Sequence, residues 1–270
     1  MAKIKRKSDC TVMWIDTHAH LCQTNESDFF AQLERAKEAG VCGIINIGTD
    51  IEESKTAIRR AKLPTPLKTF AAIGICVPES GNFSDNFDWV DELSDLAKSP
   101  EVVAIGETGL DGAGKDGYPS IDLQLSAFKK QIELAKLHNL PLIVHSRMQD
   151  EKVLEMCISS GIKKALFHCF TGTAESAKKI TDAGFYISFS GIITFAKSGL
   201  NEVIKAVPTE QILIETDAPW LAPAPFRGKP NEPSYIRFVG EKVAEIREID
   251  EYAMAKIIKE NTQNFFDIVF

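Results

Sequence analysis

The sequence predicts a (β/α)8 barrel of parallel strands with its chemistry at their C-terminal ends, and three observations carry that expectation. Short apolar runs alternate with amphipathic stretches of helical length along the chain. There are eight such runs, the number that closes a parallel barrel. Five of them end in metal-ligand residue types: His18 and His20, Glu107, His145, His168 and Asp217. An open sheet would spread these residues apart, whereas a barrel brings every strand tip to one mouth.

The strands are expected at about 12 to 17, 41 to 47, 69 to 75, 102 to 107, 141 to 145, 164 to 168, 184 to 189 and 211 to 216. The first is Val12-Met13-Trp14-Ile15, and side-chain alternation past it sets Asp16, His18 and His20 on one side. Val102 to Glu107, Leu142 to His145, Ala165 to His168 and Ile212 to Asp217 repeat the pattern of an apolar run closed by a ligand. Helices are expected near 26 to 39, 51 to 61, 86 to 98, 120 to 138, 149 to 160, 173 to 183 and 198 to 206. A proline-rich loop then leads to two more, near 232 to 247 and 250 to 266.

With 270 residues, 44% hydrophobic and 26% charged, and with no long linker, residues 11 to 270 read as a single domain behind a basic, disordered tail at 1 to 10. The first apolar run is too short for a signal peptide or a membrane span, so a cytoplasmic protein without a membrane partner is expected. Six cysteines at 10, 22, 42, 76, 157 and 169 form no Cys-x-x-Cys pair and read as reduced thiols. Cys169 should point away from His168 if the strand continues. A monomer is compatible with the sequence, which leaves the oligomeric state open.

These residues, together with Gly106-Glu107-Thr108-Gly109-Leu110-Asp111, His168-Cys169-Phe170-Thr171-Gly172, Glu215-Thr216-Asp217-Ala218-Pro219-Trp220-Leu221 and Arg227-Gly228-Lys229-Pro230-Asn231-Glu232-Pro233, resemble the TatD family of metal-dependent deoxyribonucleases from the first strand to the final helices. The resemblance implies a TIM-like barrel of the amidohydrolase type, two divalent ions and hydrolysis of DNA phosphodiesters. Residue by residue, it implies one ion on His18, His20, Glu107 and Asp217, and another on Glu107, His145 and His168, with Glu107 bridging. Two positions depart from the family pattern. Where Gly-x-His-Pro is common the chain reads Gly74-Ile75-Cys76-Val77-Pro78, so Val77 follows Cys76 and the histidine associated with the substrate phosphate is missing. Where His-x-Arg-Asp is common, Arg147 is followed by Met148. Both touch substrate contacts more than metal binding.

The chemistry can be argued from the residues themselves. A phosphodiester anion repels hydroxide and leaves an alkoxide, and two metals roughly 3.5 to 4 Å apart stabilise both oxygens. Mixed imidazole and carboxylate ligands suit Mn²⁺, Zn²⁺ or Co²⁺, with Mg²⁺ admissible at a weaker site. Only Glu107 and Asp217 of the six ligands are charged, so two divalent ions leave a surplus of about two positive charges for an anionic substrate. Asp217 is the candidate general base, with a purely ligating role as its alternative. Glu215 and Asp16, each two residues before a ligand, read as acceptors for a histidine N–H or partners of a basic group. The fifth histidine, His138, reads as a helix-terminal or surface residue.

Arg147, Arg227 and Lys229 are the candidate substrate contacts. Asn231 shares the loop after the last strand; an ion pair for Arg227 and a capping role for Asn231 are the alternatives. Phe170, Trp220 and Phe226 lie where a terminal base would stack, with core packing expected for Trp220. A net charge of −7 and a pI near 5.4 exclude a protein that coats duplex DNA. Local engagement of a strand end is expected instead: a 3′-to-5′ exonuclease preferring single-stranded DNA, its polarity taken from the family resemblance. The rivals are a related metal hydrolase of an amide, lactone or phosphotriester, an esterase on aminoacyl-tRNA, and a degenerate barrel kept for binding and tethered by Lys3 to Lys7. Glu107 stands where many amidohydrolases use a carbamylated lysine, which favours the nuclease branch, and the intact ligand set argues against a mere scaffold.

Overall fold

The computed structural model describes residues 12–83, 88–114 and 116–270. The basic tail, Cys10 and the start of the helix expected at 86 lie outside the described residues. Eight parallel strands follow one another in chain order around one sheet: β1 (Trp14–Ala19), β2 (Val41–Ile47), β3 (Lys68–Ile73), β4 (Val102–Gly109), β5 (Leu142–His145), β6 (Ala165–Phe167), β7 (Tyr186–Phe189) and β8 (Ile212–Ile214). The helices between them are α1 (Glu26–Glu38), α2 (Ile51–Ala61), α3 (Asp88–Leu96), α4 (Ile121–His138), α5 (Asp150–Ser160), α6 (Ala174–Asp182) and α7 (Asn201–Ala206). After β8 come α8 (Ile236–Arg247) and α9 (Glu251–Phe266). No helix among the described residues is long and apolar enough to cross a membrane.

Local chemistry fixes the helix ends. Asn25, Asp50 and Thr173 accept backbone N–H groups at the starts of α1, α2 and α6. Asn139 and Gly161, both with left-handed φ, close α4 and α5. His138 is the last residue of α4, and its ring bonds Ser94 of α3 at 2.8 Å.

Two apolar layers hold the barrel. Ile45, Ile47, Ala72, Ile143, Leu166 and Leu213 come from five different strands and pack with Phe265 and Phe266 of α9, which places them inside the barrel with α9 as its plug. The larger cluster, including Trp14, Phe29, Leu33, Phe128, Val153, Ile180, Val239 and Ile258, fills the space between strands and helices.

The strand ends differ from expectation where the mouth is built. β4 runs two residues past Glu107, β1 is shifted to end at Ala19, and β8 stops at Ile214 instead of reaching 216. The β8–β1 seam is closed beyond the last regular pair: Asp217 N–H donates to His18 O at 2.9 Å and His20 N–H to Ala218 O at 2.7 Å. Asp16 secures the same seam. Its carboxylate accepts the Thr216 N–H at 2.9 Å, the Thr216 hydroxyl at 2.5 Å and the His18 backbone N–H at 3.3 Å. It therefore serves neither an imidazole nor a basic group, a correction to the sequence expectation.

Candidate metal centre

The six expected ligands meet at the C-terminal mouth. His18 and His20 leave the end of β1 with their Nε2 atoms 3.0 Å apart. Glu107 is carried by β4. A Cβ on Gly109, whose φ is 134°, would lie 2.0 Å from the His145 carbonyl, so only glycine lets β4 pair with β5 this close to Glu107. Asp217 follows β8 with φ at 57°, a left-handed conformation that Asp tolerates better than most residues.

Glu107 lies at the centre. Its Oε2 is 3.5 Å from His18 Nε2 and 3.6 Å from His20 Nε2; its Oε1 is 3.2 Å from both His145 Nδ1 and His168 Nε2. Asp217 Oδ1 stands 3.8 Å from His18 Nε2 and 3.4 Å from His20 Nε2. Two trios bring their ligand atoms within 4.8 Å of one another: His18, His20 and Asp217, and His18, Glu107 and His168. His18 thus belongs to both, its ring stacked on His168 at 4.1 Å, whereas the sequence reading gave it to one ion. His145 is in neither trio and joins the cluster through Glu107.

A cation fits this arrangement. His168 Nε2 is buried beside Glu107 Oε1 with no hydrogen bond, and an imidazole and carboxylate donor set is what a borderline divalent ion takes. The protonation energetics agree. Burial alone would raise the Glu107 carboxyl, but the imidazoles of His168, His145 and His18 outweigh it and hold the group well below the usual range. Burial and the neighbouring His168 push His18 down to about 4, leaving its ring neutral and able to ligate.

The far ring nitrogens show what orients the candidate ligands. His168 Nδ1 faces Glu215 Oε1 at 3.4 Å, and Glu215 in turn takes the Ser188 hydroxyl, as expected of a buried carboxylate behind a ligand. His145 Nε2 faces Asp111 Oδ2 at 3.0 Å. Asp111 was not identified from the sequence, where it is only the last residue of a motif. β4 ends at Gly109, so strand alternation does not reach Asp111. Gln124 of α4 sets its position, accepting the Asp111 N–H at 2.8 Å and donating to Pro119 O at 2.9 Å.

The remaining candidates divide. Trp220, expected in the core, is 49% exposed and meets the His20 ring edge-on at 4.9 Å, because the turn after Asp217 carries it outward over the mouth. Phe170 is buried in the core and offers no stacking face. Phe226 is half-buried and stacks on Tyr235 at 4.2 Å. β6 ends before Cys169, which adopts a φ of 45°. Its thiol therefore turns to Ser190 Oγ at 3.2 Å, where burial and the carboxylates of Asp217 and Glu215 hold its pKa well above the ordinary value. Arg147, Arg227 and Lys229 are exposed. Arg227 lies over the Phe195 ring at 4.4 Å instead of pairing with a carboxylate. Asn231 pins its own loop, donating to Thr216 O and Trp220 O at 2.8 and 2.7 Å. Val77 and Cys76 are buried, and among the described residues that follow β3 up to α3 there is no cation or histidine.

The family model described as TatD related DNase matches residues 15–267. The chain belongs to the TatD family. The uncharacterized metal-dependent hydrolase YabD of Bacillus subtilis (strain 168) is 40% identical over 263 residues, covering 95% of this chain and all of that one. The 3′-5′ ssDNA/RNA exonuclease TatD of Salmonella typhimurium is 33% identical over 244 residues, 87% of this chain and 92% of that one. Among solved structures, the TatD homolog YJJV of Escherichia coli superposes with a TM-score of 0.86 at 29% identity, covering 95% of this chain and 98% of that one. This TatD-family chain is a metal-dependent hydrolase acting on ester bonds, and its His, Glu and Asp cluster is able to bind metal.

Proposed function

We propose that this TatD-family hydrolase is a 3′-to-5′ exonuclease on single-stranded DNA that works with two divalent ions, His18, His20, Glu107, His145, His168 and Asp217 being their ligands. The observation that carries the reading is the division of Glu107: one carboxylate oxygen faces His18 and His20, the other His145 and His168. A carboxylate between two sets of imidazoles supports a bridging role. The exonuclease polarity and the single-strand preference draw on the Salmonella relative. Free thiols at the described cysteines fit a cytoplasmic protein.

When bound, the ions supply Lewis acidity for a phosphoryl oxygen and ease the ionisation of water. Asp217 is the base that orients the attacking water and takes its proton; its side chain is 15% exposed, which leaves it reachable from the mouth. Glu215 and Asp111 keep His168 and His145 in the tautomers that present Nε2 and Nδ1 to Glu107. Trp220 shields His20 from bulk water and offers a face to the terminal base.

The test is a time course on 3′-labelled and 5′-labelled single-stranded DNA with Mn²⁺ or Mg²⁺, with EDTA and Glu107→Gln as controls. Metal-dependent loss of the 3′ label ahead of the 5′ label, abolished by the substitution, is expected. Absence of cleavage by metal-loaded protein would overturn the reading and direct attention to ester and amide substrates. Equal cutting of circular and linear strands would overturn its exonuclease part.

A further inference from the structure

The barrel mouth is electrically one-sided. Residues 48–54 and 74–97, which include the loops after β2 and β3, contain acidic residues and no lysine or arginine. Residues 183–201 and 218–231, which include the loops after β7 and β8, contain no acidic residue; their charged side chains are Lys197, Arg227 and Lys229. On a protein of net charge −7 this is a sector of the rim suited to an anion, with exposed Arg147 of the loop after β5 a separate cation on the mouth.

The two cationic loops form one platform. A Cβ on Gly191, in the loop after β7, would lie 2.0 Å from Leu221 O of the loop after β8, so the two backbones touch. Thr194 Oγ1 accepts the Ala224 N–H at 2.8 Å across the same junction. Arg227 lies over Phe195 at 4.4 Å, which spans the loops, and Lys229 stands 5.8 Å from the Phe226 ring. Asn231 ties the far end back to Trp220 and Thr216, so the platform is anchored to the turn that carries Asp217. Elsewhere on α1 and α8, Arg35 and Arg237 are neutralised by Glu232 and Glu241. No ion pair of Lys197, Arg227 or Lys229 occurs among the described residues.

An exposed ring beside unneutralised cations holds a nucleic acid strand without reading its sequence: the ring, here Trp220, stacks on a base while the cations follow phosphates. We propose that this β7–β8 platform seats the single-stranded segment leading into the metal centre, with Trp220 under the terminal base and Lys197, Arg227 and Lys229 on successive upstream phosphates. The inference rests on the nuclease reading for its ligand. It also supplies phosphate contacts that the apolar Cys76-Val77 side of the mouth does not.

The experiment measures binding of fluorescein-labelled dT10 in EDTA, where hydrolysis cannot occur, across a salt series. Three phosphate contacts at roughly 0.7 each give a salt slope of about −2. Replacing Lys197, Arg227 and Lys229 together by Gln should remove that slope with melting temperature unchanged, and Trp220→Ala should weaken binding on the order of tenfold. Replacing Lys152, Lys163 and Lys178, exposed cations outside both loops, should leave binding as it was. Equal binding by the platform variant, or no binding of dT10 by the unmodified chain, would overturn the platform. Platform-dependent binding with no cleavage in the metal-loaded assay would uphold the platform while the exonuclease reading fails.

Discussion

Gln131 of α4 is fully buried and clamps the segment just after β3 to β4, the strand that carries Glu107. Its Nε2 donates to Ile75 O at 2.8 Å and to Thr108 Oγ1 at 2.6 Å, and its Oε1 accepts the Ile75 N–H at 2.8 Å. Gln131→Leu keeps the bulk and removes all three bonds. Ile75 and Thr108 are each 1% exposed, so water cannot replace the lost partner. A buried backbone group without a partner costs about 1–3 kcal/mol. The N–H and C=O of Ile75 together make about 4 kcal/mol. At roughly 2–4 °C per kcal/mol for a chain of this size, the midpoint of thermal unfolding should fall by about 10 °C. Circular dichroism melts in EDTA would measure it against Lys129→Leu, an exposed change on the same helix that should move the midpoint little. Thr108 adjoins Glu107, so metal affinity should also drop. A fall in midpoint below about 3 °C would refute the reasoning, because it would mean that Ile75 finds other partners or never needed this one.

Glu107→Gln should leave the fold intact while calorimetric titration with Mn²⁺ shows loss of the bridged site, since an amide offers one ligand oxygen where the carboxylate offers two. Asp111→Asn should weaken metal binding by about 10–100-fold, the usual effect of removing the group that orients a ligating histidine; unchanged affinity would show that His145 needs no orienting partner. Burial lowers the pKa of His20, His145 and His168, but Asp217 acting on His20, Asp111 and Glu107 on His145, and Glu107 with Glu215 on His168 leave all three raised. Raised values mean that the metal-free cluster retains protons near neutrality, so a cation must displace them and its affinity should climb as pH rises. Titrations at pH 7 in two buffers of different ionisation enthalpy should therefore give different heats, and identical heats would exclude proton release.

The cluster of candidate ligands was legible because each is a distinctive residue type at the end of an apolar run, and a barrel needs only strand order to bring such ends together. Glu215 was legible for the same reason, lying two residues from Asp217 and facing inward. What escaped depends on backbone leaving the strand period. Asp111 lies beyond the end of β4, where Gln124 sets its position. Cys169, with its own φ at 45°, and Trp220, three residues after Asp217 at 57°, lie where the chain turns out of the sheet, so strand alternation misleads for Cys169 and the core expected for Trp220 is not where the turn carries it. Asp16 looked like a ligand's partner because it sits two residues before His18, yet it faces the seam, whose other side is formed by residues two hundred positions away.

That seam links folding to chemistry. β8 ends at Ile214, so closure between the last strand and the first passes to Asp16 with Thr216, to the Asp217 N–H on His18 O, and to the His20 N–H on Ala218 O. The last two of these bonds are made by His18, His20 and Asp217, which form one of the two trios able to hold a metal. Assembly of that trio and completion of the barrel are therefore the same event, because β1 cannot meet the end of β8 without setting His18 and His20 beside Asp217. A cation held by the trio binds only the closed form, so it must stabilise the whole barrel by mass action. Amide exchange should detect this as slowed exchange at His20 and Asp217 on addition of Mn²⁺. Protection confined to the loops, with the seam amides unchanged, would separate metal binding from barrel closure and break the link.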